Sequence, residues 1–303
     1  MRYFRIILIV VIIFVAVRCF QKNENVDSET ILKGTTTIIS DGTLAPIIED
    51  QIEIFEDDYN AHINLVSKSE AEVINSLLND SIQIAILSRD LTSAEKQQFS
   101  QRKIIPRITK FATDAITFIR NKNTNDTIIA LADILNLMRG NESENIKGLV
   151  FDNLNSSTAR YLLELSGMKD FPSRGIFSFK TNDEAIKYVA ENEGMVGVVG
   201  LNWISQPQPA MQKYINQISV LSLKGLKDEN YYSPTQNNLA EGKYPLARDL
   251  FVVNCQGYSG LGMGFASFVA GEKGQRIILK SGLLPIRIPG RNILIRNQVE
   301  KSK

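Results

Sequence analysis

The chain has 303 residues, 44% apolar and 22% charged, an ordinary globular composition that excludes a disordered, collagen-like or disulfide-stapled protein. Its 34 lysines and arginines balance 33 aspartates and glutamates, so no basic excess points to nucleic acid. One histidine and two cysteines leave little from which to build a metal centre, and no metal or cofactor is expected.

Met1 to Arg5 carries two arginines and precedes twelve unbroken apolar residues, Ile6 to Val17. That run fits the apolar region of an export signal and falls short of the ~20 residues of a spanning helix. Cys19 follows, then the polar stretch Gln21 to Asn25. The pattern resembles a bacterial lipoprotein signal, in which the cysteine is acylated and becomes the mature N-terminus. That signal usually has a small residue before the cysteine, where this chain has Arg18. An uncleaved anchor and a free thiol are the alternatives. Residues 1–18 are therefore read as an export signal and residues 19–33 as a tether. Loss of Arg2, Arg5 and Arg18 leaves 31 of the 34 basic side chains against 33 acidic ones, a net charge of about −2. Any anion site must then work through local geometry rather than long-range attraction. Cys255, in the apolar run Leu250 to Cys255, reads as a buried, inert thiol.

Past the tether the hydrophobic period changes repeatedly. Thr35 to Ser40 reads as a strand, followed by Leu44, Ile47, Ile48, Ile52 and Phe55 at helical spacing. His62 to Ser67 alternates like a strand, and Ser69 to Glu72 matches a capping box that opens a helix burying Val73, Ile74, Leu77 and Leu78. Ile82 to Leu87 is an apolar strand, with a second capping box at Thr92 to Glu95. This β-α-β-α-β-α order predicts a parallel sheet with right-handed crossovers. A second unit follows, with strands at Thr113 to Arg120, Lys147 to Phe151 and Met195 to Val199. Its helices are Ala130 to Met138, Ser156 to Leu165 and Thr181 to Glu191. The last portion holds a strand at Arg248 to Asn254, helices near Gly260 to Val269 and Gln275 to Leu279, and a final strand at Ile293 to Ile295. The expected fold is α/β in two lobes.

In such sheets ligands bind beyond the carboxyl ends of strands, where helices begin. Four junctions there are rich in small hydroxyl residues: Ser40 to Thr43, Ser67 to Ser69, Ser88 to Asp90 and Asn155 to Thr158. Each supplies unpaired N–H groups at a helix start together with hydroxyl donors, and converged they would cradle an oxyanion. The competing reading is that Ser, Thr and Asp are simply favoured helix caps. Arg89, directly after an apolar strand, has a planar fork that can hold two oxygens of a phosphate or sulfate; its alternative is a surface ion pair. Lys68 and Arg160 are weaker candidates of the same kind. His62 lies within a strand and reads as structural, which leaves no Ser-His-Asp triad. Gly260-Leu-Gly-Met-Gly264 has Phe265 where a dinucleotide fingerprint needs its third glycine, and reads as a tightly packed helix start. Trp203 and Tyr231-Tyr232 are core or cleft-lining candidates.

Several stretches, taken in order, resemble the phosphate-binding proteins of bacterial phosphate ABC transporters, which have the type II periplasmic binding fold. They are Ser40 to Leu44, Ile84 to Leu91, Thr113 to Ile116, Leu131 to Leu135 with Arg139-Gly140, and Asn155 to Thr158. Gly194 to Gly197 with Gly200-Leu201, Tyr244 to Arg248, and Gly264 to Phe268 with Gly274-Gln275 continue the series. The resemblance implies two lobes, each a mainly parallel sheet flanked by helices, joined by a double hinge. Lobe 1 would be residues 34–111 and 246–303, and lobe 2 residues 112–245. It further implies phosphate held by Thr43 and Leu44, by Ser67 or Ser69, by Ser88 and Arg89, and by Ser156, Ser157 and Thr158. Arg89 stands where the family has a proton-accepting aspartate, with Asp90 one residue later. Asp152 stands where the family has an arginine, and Ser157 replaces a glycine. Arg89 is accordingly expected to supply the positive charge missing at position 152. The implied role is that of a monomer, without enzymatic activity, tethered outside the cytoplasm and handing inorganic phosphate to ABC permease subunits. A sensor of the same fold and an exported phosphate-ester hydrolase are the alternatives.

Overall fold

A computed structural model describes residues 29–290. The export signal, Cys19 and the strand expected at Ile293 to Ile295 lie outside the described residues. Among the described residues no helix is long and apolar enough to cross a membrane.

Three βα units open the chain: β1 (Lys33–Asp41), α1 (Ala45–Asp58), β2 (Asn60–Lys68), α2 (Glu70–Leu78), β3 (Ile84–Leu87) and α3 (Ser93–Gln101). Both capping boxes form, Ser69 with Glu72 and Thr92 with Glu95, so local chemistry sets where α2 and α3 begin. β1 pairs in parallel with β2 on one side and β3 on the other, with Ser40 opposite both Ser67 and Ile86. That register brings the carboxyl ends of all three strands to one edge.

The chain then enters β4 (Arg107–Asn121), fifteen residues long and almost wholly buried from Phe111 onward. Burial on both faces removes the alternation that marks a strand in sequence, and the polar start Arg-Ile-Thr-Lys hides its first half. β4 pairs with β12 (Ala247–Asn254) from Arg107 to Ala115, and with β8 (Met195–Gly200) from Ile116 to Arg120. One strand thus belongs to two sheets.

The second unit contains β5 (Ile128–Ala130), α4 (Leu131–Met138), β6 (Gly148–Phe151), α5 (Ser157–Ser166), β7 (Ile176–Ser178) and α6 (Asn182–Glu191). After β8 come α7 (Asn202–Ser205), α8 (Gln212–Ile215), β9 (Ile218–Val220), β10 (Ser222–Lys224), β11 (Tyr231–Tyr232) and α9 (Gln236–Ala240). β6 pairs in parallel with β7 and β8. After β12 the chain closes with α10 (Leu261–Val269), α11 (Glu272–Lys280) and β13 (Leu284–Pro285). The main sheet runs β2-β1-β3-β12-β4-β8-β6-β7, so a parallel trio at each end is joined through the antiparallel pair β12 and β4.

Core packing follows that layout. Ile39, Val73, Leu77, Leu87 and Phe99 fill one side of the first sheet; Ile119, Val150, Ile186 and Val199 fill the corresponding side of the second. A larger cluster runs through both units along β4, including Phe111, Ile116 and Phe118. Tyr244, buried just before β12, donates its hydroxyl to the Ile116 carbonyl at 2.8 Å and fastens the two crossing segments together.

Candidate functional site

The carboxyl ends of the two parallel trios face each other across β4 and β12, and the hydroxyl junctions meet there. At the end of β1, Asp41 caps a 3-10 turn over Gly42–Leu44. One Asp41 oxygen accepts from the Thr43 hydroxyl at 2.7 Å and the other from the Thr43 amide at 3.3 Å. From the opposing unit, the Ser157 hydroxyl at the start of α5 lies 2.9 Å from that of Thr43. Beneath them Arg248, on β12, donates to Ser157 at 2.6 Å and to Thr43 at 3.3 Å.

Hydrogen-bond polarity here follows from donor count. Arg248 can only donate and an ionised Asp41 can only accept, so the protons point from guanidinium through the two hydroxyls to the carboxylate. Arg248 is itself held by Asp114, its cross-strand neighbour on β4, through bonds of 3.0 and 2.8 Å. Both charges are almost completely buried. Such a pair is rigid, because separating it would strand a charge in the interior.

A second ring lies beside the first. Ser156 caps α5; its hydroxyl reaches Asp152 at 2.9 Å and the Thr158 hydroxyl at 3.0 Å. The other Asp152 oxygen accepts from Asn182, at the start of α6, at 3.1 Å. Asn202 and Trp203, on α7, both donate to the Thr43 carbonyl, at 3.0 and 3.1 Å. Space for these contacts depends on Gly200, where a methyl group would sit 2.8 Å from the Asn202 amide nitrogen and 3.1 Å from Arg248. Outside the rings opens a cavity of about 330 Å³, lined by Gly42, Ser67, Ser69, Asp152, Asn182 and Trp203 among others.

Electrostatically the site is richer in carboxyl groups than its sequence suggests. Burial pushes Asp41 and Asp114 above the usual carboxylate range, although Arg248 pulls both back. Asp152 is pushed up to about 6, first by burial and then by the charge of Asp41. Groups in that condition can share a proton with a bound ligand near neutral pH.

Of the residues expected at the site, Thr43, Ser156, Ser157 and Thr158 are buried and brought together. Leu44 follows Thr43 in the same turn with its side chain in the core. Ser69 is buried but gives its hydroxyl to Glu72 at 2.6 Å; Ser67 stays on the exposed rim of the cavity. Ser88 is buried near Glu70, at 3.5 Å. Two expectations are corrected. Arg89, expected beside the hydroxyls, makes its bonds elsewhere: its guanidinium is taken by Glu70 at 2.8 Å and by both oxygens of Glu95 at 2.9 Å. The carboxylates that open α2 and cap α3 lie nearer to it than the hydroxyls do. Asp90 also stays outside, half exposed and paired with Lys96 at 2.7 Å.

Sequence reasoning passed over Arg248, Asp114 and Glu70. A usable signal existed for Asp114, a lone charge inside the apolar run Phe111 to Ile119. Arg248 became recognisable only through its pairing with Asp114. His62 is exposed beside Glu56 near the start of β2, at the opposite end of that strand from the cradle. Among the described residues no group of three or more His, Cys, Asp or Glu side chains could hold a metal ion.

The sequence model of the PBP superfamily domain matches residues 25–273. The chain belongs to this superfamily. A relative from Borreliella burgdorferi, the phosphate-binding protein PstS, is 27% identical over an alignment covering 92% of this chain and 98% of that protein. Among solved structures, a Clostridium perfringens protein assigned as a phosphate ABC transporter substrate-binding protein, with bound phosphate, superposes with a TM-score of 0.67. It is 20% identical, with 84% of this chain and 100% of that one covered. An ABC-type phosphate transport receptor from Vibrio cholerae gives a TM-score of 0.62 at 17% identity, covering 83% of this chain and all of that one. The two-lobed fold of a periplasmic binding protein is therefore shared across nearly the whole described chain.

Proposed function

We propose that this protein captures inorganic phosphate between its two lobes outside the cytoplasm and delivers it to the permease of an ABC transporter, with no chemistry of its own. In this reading the lobes meet within β4, between Ala115 and Ile116 where its pairing changes partner rather than at the boundary expected after residue 111, and again just before β12. One observation carries the proposal: Thr43 and Ser157, one from each lobe, present their hydroxyls side by side above the buried Arg248. An oxyanion entering there replaces the bond between the hydroxyls and accepts from Ser157 and from the guanidinium, and from Thr43 once that hydroxyl turns its single proton away from Asp41, in a site where little water weakens each bond. The neighbouring Asp41 and Asp152 carboxyls then suit a ligand that still carries a hydrogen to donate. Monohydrogen phosphate has one and sulfate does not. The binding roles of the relatives named above point the same way.

Titration calorimetry with phosphate, arsenate and sulfate tests the reading. Phosphate is expected to bind with a micromolar or tighter Kd, about −8 kcal/mol or better, and sulfate at least about tenfold more weakly. No heat with any of the three oxyanions would refute it. Arg248→Gln, combined with Asp114→Asn to avoid stranding a buried charge, should weaken phosphate binding by about 10²-fold or more, the usual scale for losing a desolvated charged partner.

A further inference from the structure

The cleft is bridged a second time, away from the hydroxyls, by charge. Glu70 is the first residue of α2 and directly follows Ser69; its side chain is only 2% exposed. It receives Arg89 at 2.8 Å from its own lobe and Arg160, on α5 of the other lobe, at 2.7 and 3.3 Å. Arg89 in turn is gripped by Glu95, and Arg160 by Glu164 one helical turn further along α5, at 2.8 Å. The result is an alternating row, Glu95, Arg89, Glu70, Arg160, Glu164, that runs from α3 in one lobe to α5 in the other. Beside it the Ala71 amide of α2 faces the Asn155 carbonyl, just ahead of α5, at 3.5 Å.

We infer that Glu70 and Arg160 form a reversible latch between the lobes, which sets how fast the captured anion leaves. Three features support this. The row carries one more negative than positive charge, so Arg89 and Arg160 bring no net positive charge to the ligand; that task stays with Arg248. The row is also divided so that opening is tolerable. When the lobes part, Glu70 keeps Arg89 and Arg160 keeps Glu164, and neither charge is left alone in a low-dielectric interior. Only the central contact has to be exchanged for water. Finally, Glu70 adjoins Ser69 and Arg160 lies two residues past Thr158, on the same helix starts that line the cleft. Closing the latch therefore seats those starts against the ligand, and releasing it draws them back. Glu95 holds the Arg89 fork in both oxygens and so acts as a positioning residue for Glu70.

The kinetic part of this inference rests on phosphate capture, whereas the geometric part does not, and the experiment separates them. Stopped-flow mixing of the full-length protein with inorganic phosphate, read by the emission of Trp203, gives association and release rates. Arg160→Gln is the principal variant because Arg160 lies at the more exposed end of the latch and its replacement keeps a polar stem. It is expected to raise the release rate about tenfold, equivalent to about 1.4 kcal/mol, with association changed less than twofold. Glu70→Gln is expected to do the same, and the double variant to fall short of the product of the two single effects, as for residues in direct contact. If Glu70→Gln fails to fold, Arg160→Gln decides alone. Solution scattering supplies the readout that needs no ligand: ligand-free Arg160→Gln should show a larger radius of gyration than the parent. Where the parent binds phosphate, an unchanged release rate in Arg160→Gln overturns the latch, and so does tighter binding. Where the parent binds no phosphate, the capture reading fails by itself, and the latch then stands or falls on the scattering difference.

Discussion

Asp152 shows how far a single side chain departs from its textual appearance. In sequence it is an acidic residue in a loop before a hydroxyl-rich helix start; in the fold it is almost fully buried, with a pKa pushed up to about 6 by burial and by Asp41. Because its folded pKa lies above the unfolded value of 3.8, the native state holds more protons than the unfolded chain between about pH 4 and 6. Its contribution to stability therefore falls as pH rises through that window, by about 3 kcal/mol for a shift of that size. Asp152→Asn removes the titration. The new amide would need an acceptor opposite, and the Asn182 side-chain oxygen, buried without a partner, can provide one once that amide turns over. The variant is expected to be more stable than the parent at pH 7 and equal to it near pH 4, in urea titrations across that range. A parent and variant whose difference stays constant from pH 4 to 7 would refute the assignment. At this scale the hydroxyl residues were legible because helix caps and oxyanion donors draw on the same residue types. Arg89 was misread because its competing partners, Glu70 and Glu95, are distant in sequence or hidden inside a cap.

At the scale of elements, the capping boxes of α2 and α3 and the alternation of β1 and β2 could be read directly, since each depends on residues within one turn or one strand. Long-range constraints were legible only in part. The glycines that open α10 read as close packing, and at Gly264 a methyl group would collide with the backbone carbonyl of Ile31. Backbone cannot yield as a flexible side chain can, so Gly264→Ala is expected to cost about 1–3 kcal/mol, the range for overfilling a packed contact. Gly257→Ala, with open space around it and no unusual backbone angle, should stay within about 0.5 kcal/mol of the parent. Chemical denaturation of the two variants side by side gives the comparison, and equal midpoints would contradict the packing account. The short strands β5, β7, β9, β10 and β11 left no mark in the sequence, because two or three residues are too few to show a period, and β5, β9 and β10 also pair with strands distant in the chain.

For the whole molecule, the question is whether the lobes move as units. Trp203 follows β8 of the second unit and donates its indole N–H to the Thr43 carbonyl of the first, so its surroundings change if the cleft opens. Ligand-free protein is expected to show Trp203 emission that acrylamide quenches more strongly than in phosphate-saturated protein. Identical quenching in both conditions would mean that capture proceeds without lobe motion. The chain's 34 basic and 33 acidic side chains nearly cancel, so the proposed capture would rely on fixed local dipoles rather than on a steering field.

The order of strands and helices, the hydroxyl character of the cleft and the resemblance to phosphate-binding proteins were determined by the sequence alone. These depend on periodicity, caps and short motifs, all of which are written in neighbouring residues. Which cation stands beneath the hydroxyls was decided only by tertiary structure. Arg248 and Asp114 are separated by more than a hundred positions and meet because β12 and β4 run antiparallel in one register. Glu70, beside Arg89 in its own unit and facing Arg160 across the cleft, holds both guanidinium groups in ion pairs. Ionic partners are chosen by distance and burial, and neither exists until the chain has folded.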